Sequence, residues 1–225
     1  MRGEFVAACE HLDQAIAVVT EVGAIEDVFL MRARQAQLYW LLGDAEASAA
    51  AIAEGQRYAD RSAWPNALAE LAFAKAQLAR WNGDTAQAHR EIDLATTMLG
   101  SDAEQVYVKA VTHDLLGYLA DGLDEAREQR AAAYQAASAA GYAPLIAQIL
   151  VGVADLALRD GRDEQAVRLL AASAAVRGLP DRSQPDVARI EQTARHRLGE
   201  ARFTEATREG AQANWSELVA TTLAC

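Results

Sequence analysis

Nine side chains stand out as candidates for recognition chemistry: Arg34, Gln37, Phe73, Gln77, Arg80, Trp81, Tyr118, Asp155 and Arg159. Amide, guanidinium, carboxylate and aromatic groups gathered on one wall are what a groove needs to hold a peptide or a small effector. The competing reading makes the aromatics core between repeats and the arginines a solvated face. No catalytic set accompanies them. The four histidines, His11, His89, His113 and His196, share no register, and His89-Arg90-Glu91 has the His-x-Glu form of a zinc deaminase without its Pro-Cys-x-x-Cys partner. Cys9 and His11 are two apart on a helix and diverge. No Gly-rich loop precedes a phosphate-binding Lys. The acidic groups Asp121/Asp124/Glu125 and Asp160/Asp163/Glu164 fall at helix starts, where carboxylates satisfy free backbone N–H groups, so they read as caps rather than cation ligands. The expectation is a non-enzyme with no metal and no cofactor.

The elements that must position those nine residues are set by a repeat. A Gly, usually followed by an acidic residue, with Ala or Ser five positions after the Gly, occurs at Gly3, Gly43, Gly83, Gly122 (displaced by one) and Gly161, spaced 40, 40, 39 and 39. Physically this is a helix stop followed at once by a helix start. Gly closes one helix in the left-handed conformation, the carboxylate favours the next N-terminus, and the small residue (Ala8, Ser48, Ala88, Ala126, Ala166) lets helices come close. A second set of breakers lies midway: Gly23, the stretch to Trp64-Pro65, Gly100, Gly141 with Pro144, and Gly178 with Pro180. Each repeat is thus two helices, and stacked hairpins give an all-α, right-handed solenoid with a period of about 40 residues. The predicted helices cover 4–21, 25–42, 44–60, 65–82, 84–99, 102–120, 123–140, 143–160, 162–177 and 185–198, with two short ones after Gly199.

One continuous solenoid over 1–225 divides into a half repeat at 1–22, hairpins at 23–62, 63–100, 101–141 and 142–178, and capping helices at 179–225. Aligned on the turn, Gln37, Gln77, Leu115 and Asp155 form a row on the first helix of each hairpin, which would line the concave face. Leu41, Trp81, Leu119 and Arg159 form a second row and Ala33, Phe73, Val111 and Val151 a third, with Arg34, Trp40, Arg80 and Tyr118 beside them. Gly117 and Gly152 fall inside helices, where Gly costs about 1 kcal/mol against Ala. Close helix packing is the expected reason. Trp64 and Trp215, near turns, read as hydrophobic plugs. Because the first turn is at Gly3, the opening helix is the second member of a hairpin whose first is missing, which suggests a piece of a longer polypeptide. Self-capping, or self-association through that helix, stays open as an alternative.

Composition agrees. Alanine dominates, aromatics make up 6% and Pro occurs four times, which favours helix and disfavours β-sandwiches and barrels. With 32 acidic against 21 basic residues, the net charge of −11 opposes direct contact with nucleic acid. Cys9 and Cys225 form no spacing motif and read as reduced thiols, and there is neither a signal peptide nor an 18-residue apolar run. A cytoplasmic protein with no membrane association is expected.

The Gly-Asp-x-x-x-Ala turn, with Gly43/Ser48, Gly83/Ala88 and Gly161/Ala166 at its positions, resembles the tetratricopeptide superfamily. The period departs from the usual 34, and the family's aromatic and terminal Pro positions are mostly unfilled. Repeats of this length look like the solenoids of large bacterial regulators of the maltose-regulator type. From Ala166-Val167-Arg168-Leu169-Leu170 through Gly178-Leu179-Pro180, Leu198-Gly199-Glu200 and Trp215-Ser216-Glu217-Leu218, the order resembles the C-terminal end of LuxR-type and AfsR/SARP-type regulators that carry a nucleotide-binding STAND module. The resemblance implies a sensor or interaction region that binds a protein segment or small effector and acts on other domains of a parent regulator. A stand-alone tetratricopeptide-like scaffold or adaptor is the alternative.

Overall fold

The computed structural model describes residues 2–24, 27–62 and 65–224. Among them are twelve α-helices and no strand. In chain order they are α1 (Arg2–Glu21), α2 (Val28–Leu42), α3 (Ala45–Ser62), α4 (Pro65–Trp81), α5 (Thr85–Leu99), α6 (Val106–Leu119), α7 (Leu123–Ala140), α8 (Ala143–Arg159), α9 (Asp163–Arg177), α10 (Pro185–Leu198), α11 (Glu200–Gln212) and α12 (Trp215–Leu223). Trp64 and Cys225 lie outside the described residues.

The repeated turn is local chemistry. Gly43, Gly83 and Gly161 take φ of +80°, +78° and +73°, a region L side chains avoid. At each, two backbone bonds close the preceding helix in the same pattern. Gly43 N–H donates to Trp40 O and Asp44 N–H to Tyr39 O; Gly83 and Asp84 repeat this on Arg80 and Ala79, and Gly161 and Arg162 on Leu158 and Ala157. This is the Schellman closure, which satisfies carbonyls that a helix end otherwise leaves bare. The carboxylate then starts the next helix: Asp44 Oδ1 accepts Ala47 N–H and Asp84 Oδ1 accepts Gln87 N–H, both at 2.9 Å. Asp84→Ala should therefore cost about 1 kcal/mol of stability, read as a lower urea midpoint. An unchanged midpoint would show that the cap contributes nothing. The small position is buried at Ser48, Ala88, Ala126 and Ala166, and Ser48 Oγ donates to Ala36 O at 2.9 Å.

The predicted hairpins pack as pairs: α2 on α3, α4 on α5, α6 on α7 and α8 on α9. Two compact units result. Residues 1–103 hold α1–α5 around Phe29, Ala36, Leu71 and Leu78, with α1 tied to α2 where Gln35 donates to Asp13 Oδ1 (2.8 Å) and Arg32 bridges Asp13 and Glu54 (both 3.0 Å). Residues 104–225 are organised around α8, of whose 17 residues 13 are buried. α10, α11 and α12 all fold onto α9, and Trp215 plugs that core edge-on to Tyr134, with centroids 5.9 Å apart.

Four expectations change. α6 starts at Val106 rather than 102, because Gly100 (φ +52°) opens a 3₁₀ turn over Gly100–Glu104 and Gln105 is extended. Gly3 lies within α1 rather than at a turn, and Gly122 is an extended residue at φ −99°. The carboxylates read as caps at the later turns pair with arginines instead: Asp124 with Arg127 (2.9 Å), Asp160 with Arg162 (2.9 Å), Asp163 with Arg197 (3.0 Å) and Glu164 with Arg202 (2.6 Å). Finally, Gly117 and Gly152 make room for a side chain, described below. No helix among the described residues is long and apolar enough to cross a membrane.

Candidate functional site

In the first unit, several of the nine residues come together on α4. With its amide oxygen turned towards α4's C-terminal end, Gln77 accepts from Arg80 Nη2 (2.5 Å) and Trp81 Nε1 (2.7 Å). Trp81 packs on Trp40 of α2 with centroids 5.0 Å apart, and Trp40 Nε1 donates to Asn82 Oδ1 at 2.7 Å. On α2, Arg34 Nη1 donates to Gln37 Oε1 at 2.9 Å. Phe73 goes elsewhere: it packs against Ala69, Ala72 and Ala95 between α4 and α5. The result is a half-buried aromatic pair with its indole N–H groups engaged and a guanidinium and two amides at its edge.

Trp40 also walls a groove of about 770 Å³ that opens between α3 and the α4–α5 pair. Its floor is Ala49, Ala53, Ile52 and Leu78, and Lys75 crosses it to donate to Gln56 Oε1 at 2.5 Å. None of the nine predicted residues lines it. The groove was hidden in the sequence because its floor is alanine and aliphatic side chains, which carry no chemical signal.

In the second unit, Tyr118 and Asp155 converge on a residue that sequence reasoning missed. Arg130 of α7 is 0% exposed. Its Nη1 donates to the Asp114 carboxylate and, at 2.8 Å, to Asp114 O on α6. Its Nη2 faces Asp155 Oδ2 of α8 at 4.0 Å, and the guanidinium lies over the Tyr118 ring, 3.8 Å from its centroid. Asp155 in turn accepts from Arg189 of α10 at 2.6 Å, Arg189 also reaches Asp186 (3.1 Å), and Gln148 donates to Asp114 Oδ2 (3.1 Å). A buried cation is tolerable only when paired, and here Nη1 carries the hydrogen bonds while Nη2 and Nε rely on the nearby carboxylate and ring alone. The space for it comes from Gly117 and Gly152. A Cβ on Gly117 would sit 2.8 Å from Arg130 Nε, and one on Gly152 2.5 Å from Asp114 Oδ1 and 2.6 Å from Arg130 Cζ. Arg159 closes α6 from the side, donating to Ala120 O at 2.8 Å.

No family model matches the chain, and neither does any curated protein or solved structure. The geometry must therefore carry the reading alone. Burial, with Asp13 nearby, pushes the Cys9 thiol up, away from the reactive thiolate. Among the described residues no three His, Cys, Asp or Glu side chains gather as a metal site. His113 is taken up by Gln129 at 2.7 Å and His89 by Thr85 O at 2.9 Å.

Proposed function

We propose that this chain is a non-catalytic interaction region, a right-handed solenoid of tetratricopeptide-like hairpins that serves as the sensor end of a cytoplasmic bacterial transcriptional regulator. The observation that carries the reading is the set of four paired helices, with the same Gly turn closing the first helix of three of the pairs at Gly43, Gly83 and Gly161. That architecture repeats a surface and supplies no reactive centre. The accessible faces of its hairpins would hold a protein segment or small effector, and a ligand that prefers one arrangement of the hairpins would shift the population of the whole regulator. DNA contact would belong to other domains, since a net charge of −11 repels phosphate.

The cluster of Gln77, Arg80, Trp81 and Trp40 is the best-formed piece of such a surface in the first unit. Aromatic and arginine side chains, backed by rigid packing, are the groups that dominate interface energies. A displayed random-peptide library selected against the protein tests this. Enriched peptides should bind the parent and lose about tenfold in affinity to the Gln77→Ala/Arg80→Ala variant. Both substitutions leave the Trp40–Trp81 pair in place, so the fold is retained. Equal affinity for parent and variant, or no enrichment, would remove this surface from the reading.

A further inference from the structure

A second cavity, of about 240 Å³ and partly open to solvent, lies in the unit formed by residues 104–225, lined by α9, α10, α11 and the segment that joins α9 to α10. Its walls are chiefly apolar, with Leu170 from α9, Val187 from α10 and Phe203 from α11. Five lining residues carry polar side chains, and four of them already have partners. Ser173 Oγ donates to Ala147 O (2.7 Å) and Thr207 Oγ1 to Phe203 O (2.8 Å). Asp181 accepts from Ser183 Oγ (2.6 Å) and pairs with Arg177 (3.2 Å), and Arg195 pairs with Glu200 while its guanidinium covers the Phe203 ring at 3.9 Å.

The fifth is Glu191. Among the described residues its half-buried carboxylate makes no hydrogen bond and no ion pair. Burial pushes its carboxyl up from the usual range, and the nearby Arg195 only partly offsets this. A carboxylate partly removed from water and left without a protein donor is costly, and a cation that brings its own donors relieves that cost.

We propose that this cavity binds a small primary ammonium compound whose compact aliphatic tail fills the space between Leu170, Val187 and Phe203 while its charged head pairs with Glu191. An ammonium offers three donors. Glu191 accepts one, and the Ser173 and Thr207 oxygens, whose protons point elsewhere, keep free lone pairs for the others. The volume corresponds to about eight waters at roughly 30 Å³ each, which suits a ligand of about six non-hydrogen atoms rather than a peptide. A bare metal ion is a poor fit, because one unpaired carboxylate falls well short of the six or so oxygens that hard cations require. The cavity shares no residue with the Gln77–Trp81 cluster, so the two readings stand or fall separately.

The test is titration of the full chain near neutral pH with three probes of matched shape, isopentylammonium chloride, isopentyl alcohol and isocaproate, followed by calorimetry and methyl NMR. Isopentylammonium should bind saturably with a dissociation constant below about 1 mM, well within what about six non-hydrogen atoms can supply. The Leu170 and Val187 methyl resonances should shift, and the alcohol and the carboxylate should bind at least about tenfold more weakly, since burying the unpaired carboxylate is relieved only by a cation. Glu191→Gln should lower ammonium affinity by about tenfold or more, since an amide lacks the charge. The comparison of probes on the parent protein decides the matter even if that variant folds poorly. Alcohol binding equal to ammonium binding, shifts confined to other methyl groups, or no saturable binding of isopentylammonium would overturn the assignment.

Discussion

Replacing Arg130 with Met is expected to lower the stability of the residue 104–225 unit by about 3–5 kcal/mol. Met nearly fills the space of the stem, so the loss is electrostatic rather than a cavity effect. Asp155 keeps Arg189 at 2.6 Å, but Asp114, 2% exposed, loses the guanidinium while keeping the Gln148 amide at 3.1 Å. A buried carboxylate that loses its buried counter-charge is the costly outcome, far more so than removal of the pair. The double variant Arg130→Met/Asp114→Leu should therefore recover most of the loss. Urea unfolding with hydrogen exchange at the α8 amides would read both, and a single variant as stable as the parent would show that the network is energetically idle. Gly152→Ala probes the same site from the other side, since its Cβ would meet Asp114 Oδ1 and Arg130 Cζ.

This network also shows where sequence reasoning stops. The Gly-Asp turns were legible because each is a local device: one residue at positive φ, one carboxylate three residues from the N–H it caps, and one small side chain a turn later. Hairpin pairing follows from turns that short. Arg130, by contrast, sits in an alanine-rich helix among Glu128, Gln129 and Ala131, where an arginine reads as solvated. Its partners are 16 and 25 residues away, on α6 and α8, and only packing brings them together. The one signal was indirect: two glycines in mid-helix, Gly117 and Gly152, where a close helix crossing was the natural inference and a buried guanidinium the actual cause. The nine chosen residues divide along the same line. Gln77, Arg80 and Trp81 meet because they lie within five residues of one helix, whereas Phe73 and Arg159 are claimed by apolar packing and a helix end that the repeat alignment does not encode. Glu191 was invisible for the opposite reason: its distinction is the absence of a partner, which no sequence pattern records.

Gly210→Ala should produce the other large effect, and here propensity and packing predict opposite signs. In an exposed helix the change would stabilise by about 1 kcal/mol, because Ala is the better helix former. Gly210, however, is buried in α11 against the backbone of α9, where a Cβ would lie 2.5 Å from Arg168 Cα and 2.7 Å from its carbonyl carbon. Neither atom can swing aside as a side-chain end could. The α11 helix must move away from α9, which breaks the 2.7 Å bond from Arg168 to Glu209 and loosens Phe203 and Ala206 in the core, at a net cost of about 2–3 kcal/mol. Thermal and urea unfolding give the sign directly, and a more stable variant would mean that the helices are not in contact at Gly210. The same displacement should weaken isopentylammonium binding with Glu191 untouched, because α11 supplies the Phe203 wall and the Thr207 oxygen of that cavity.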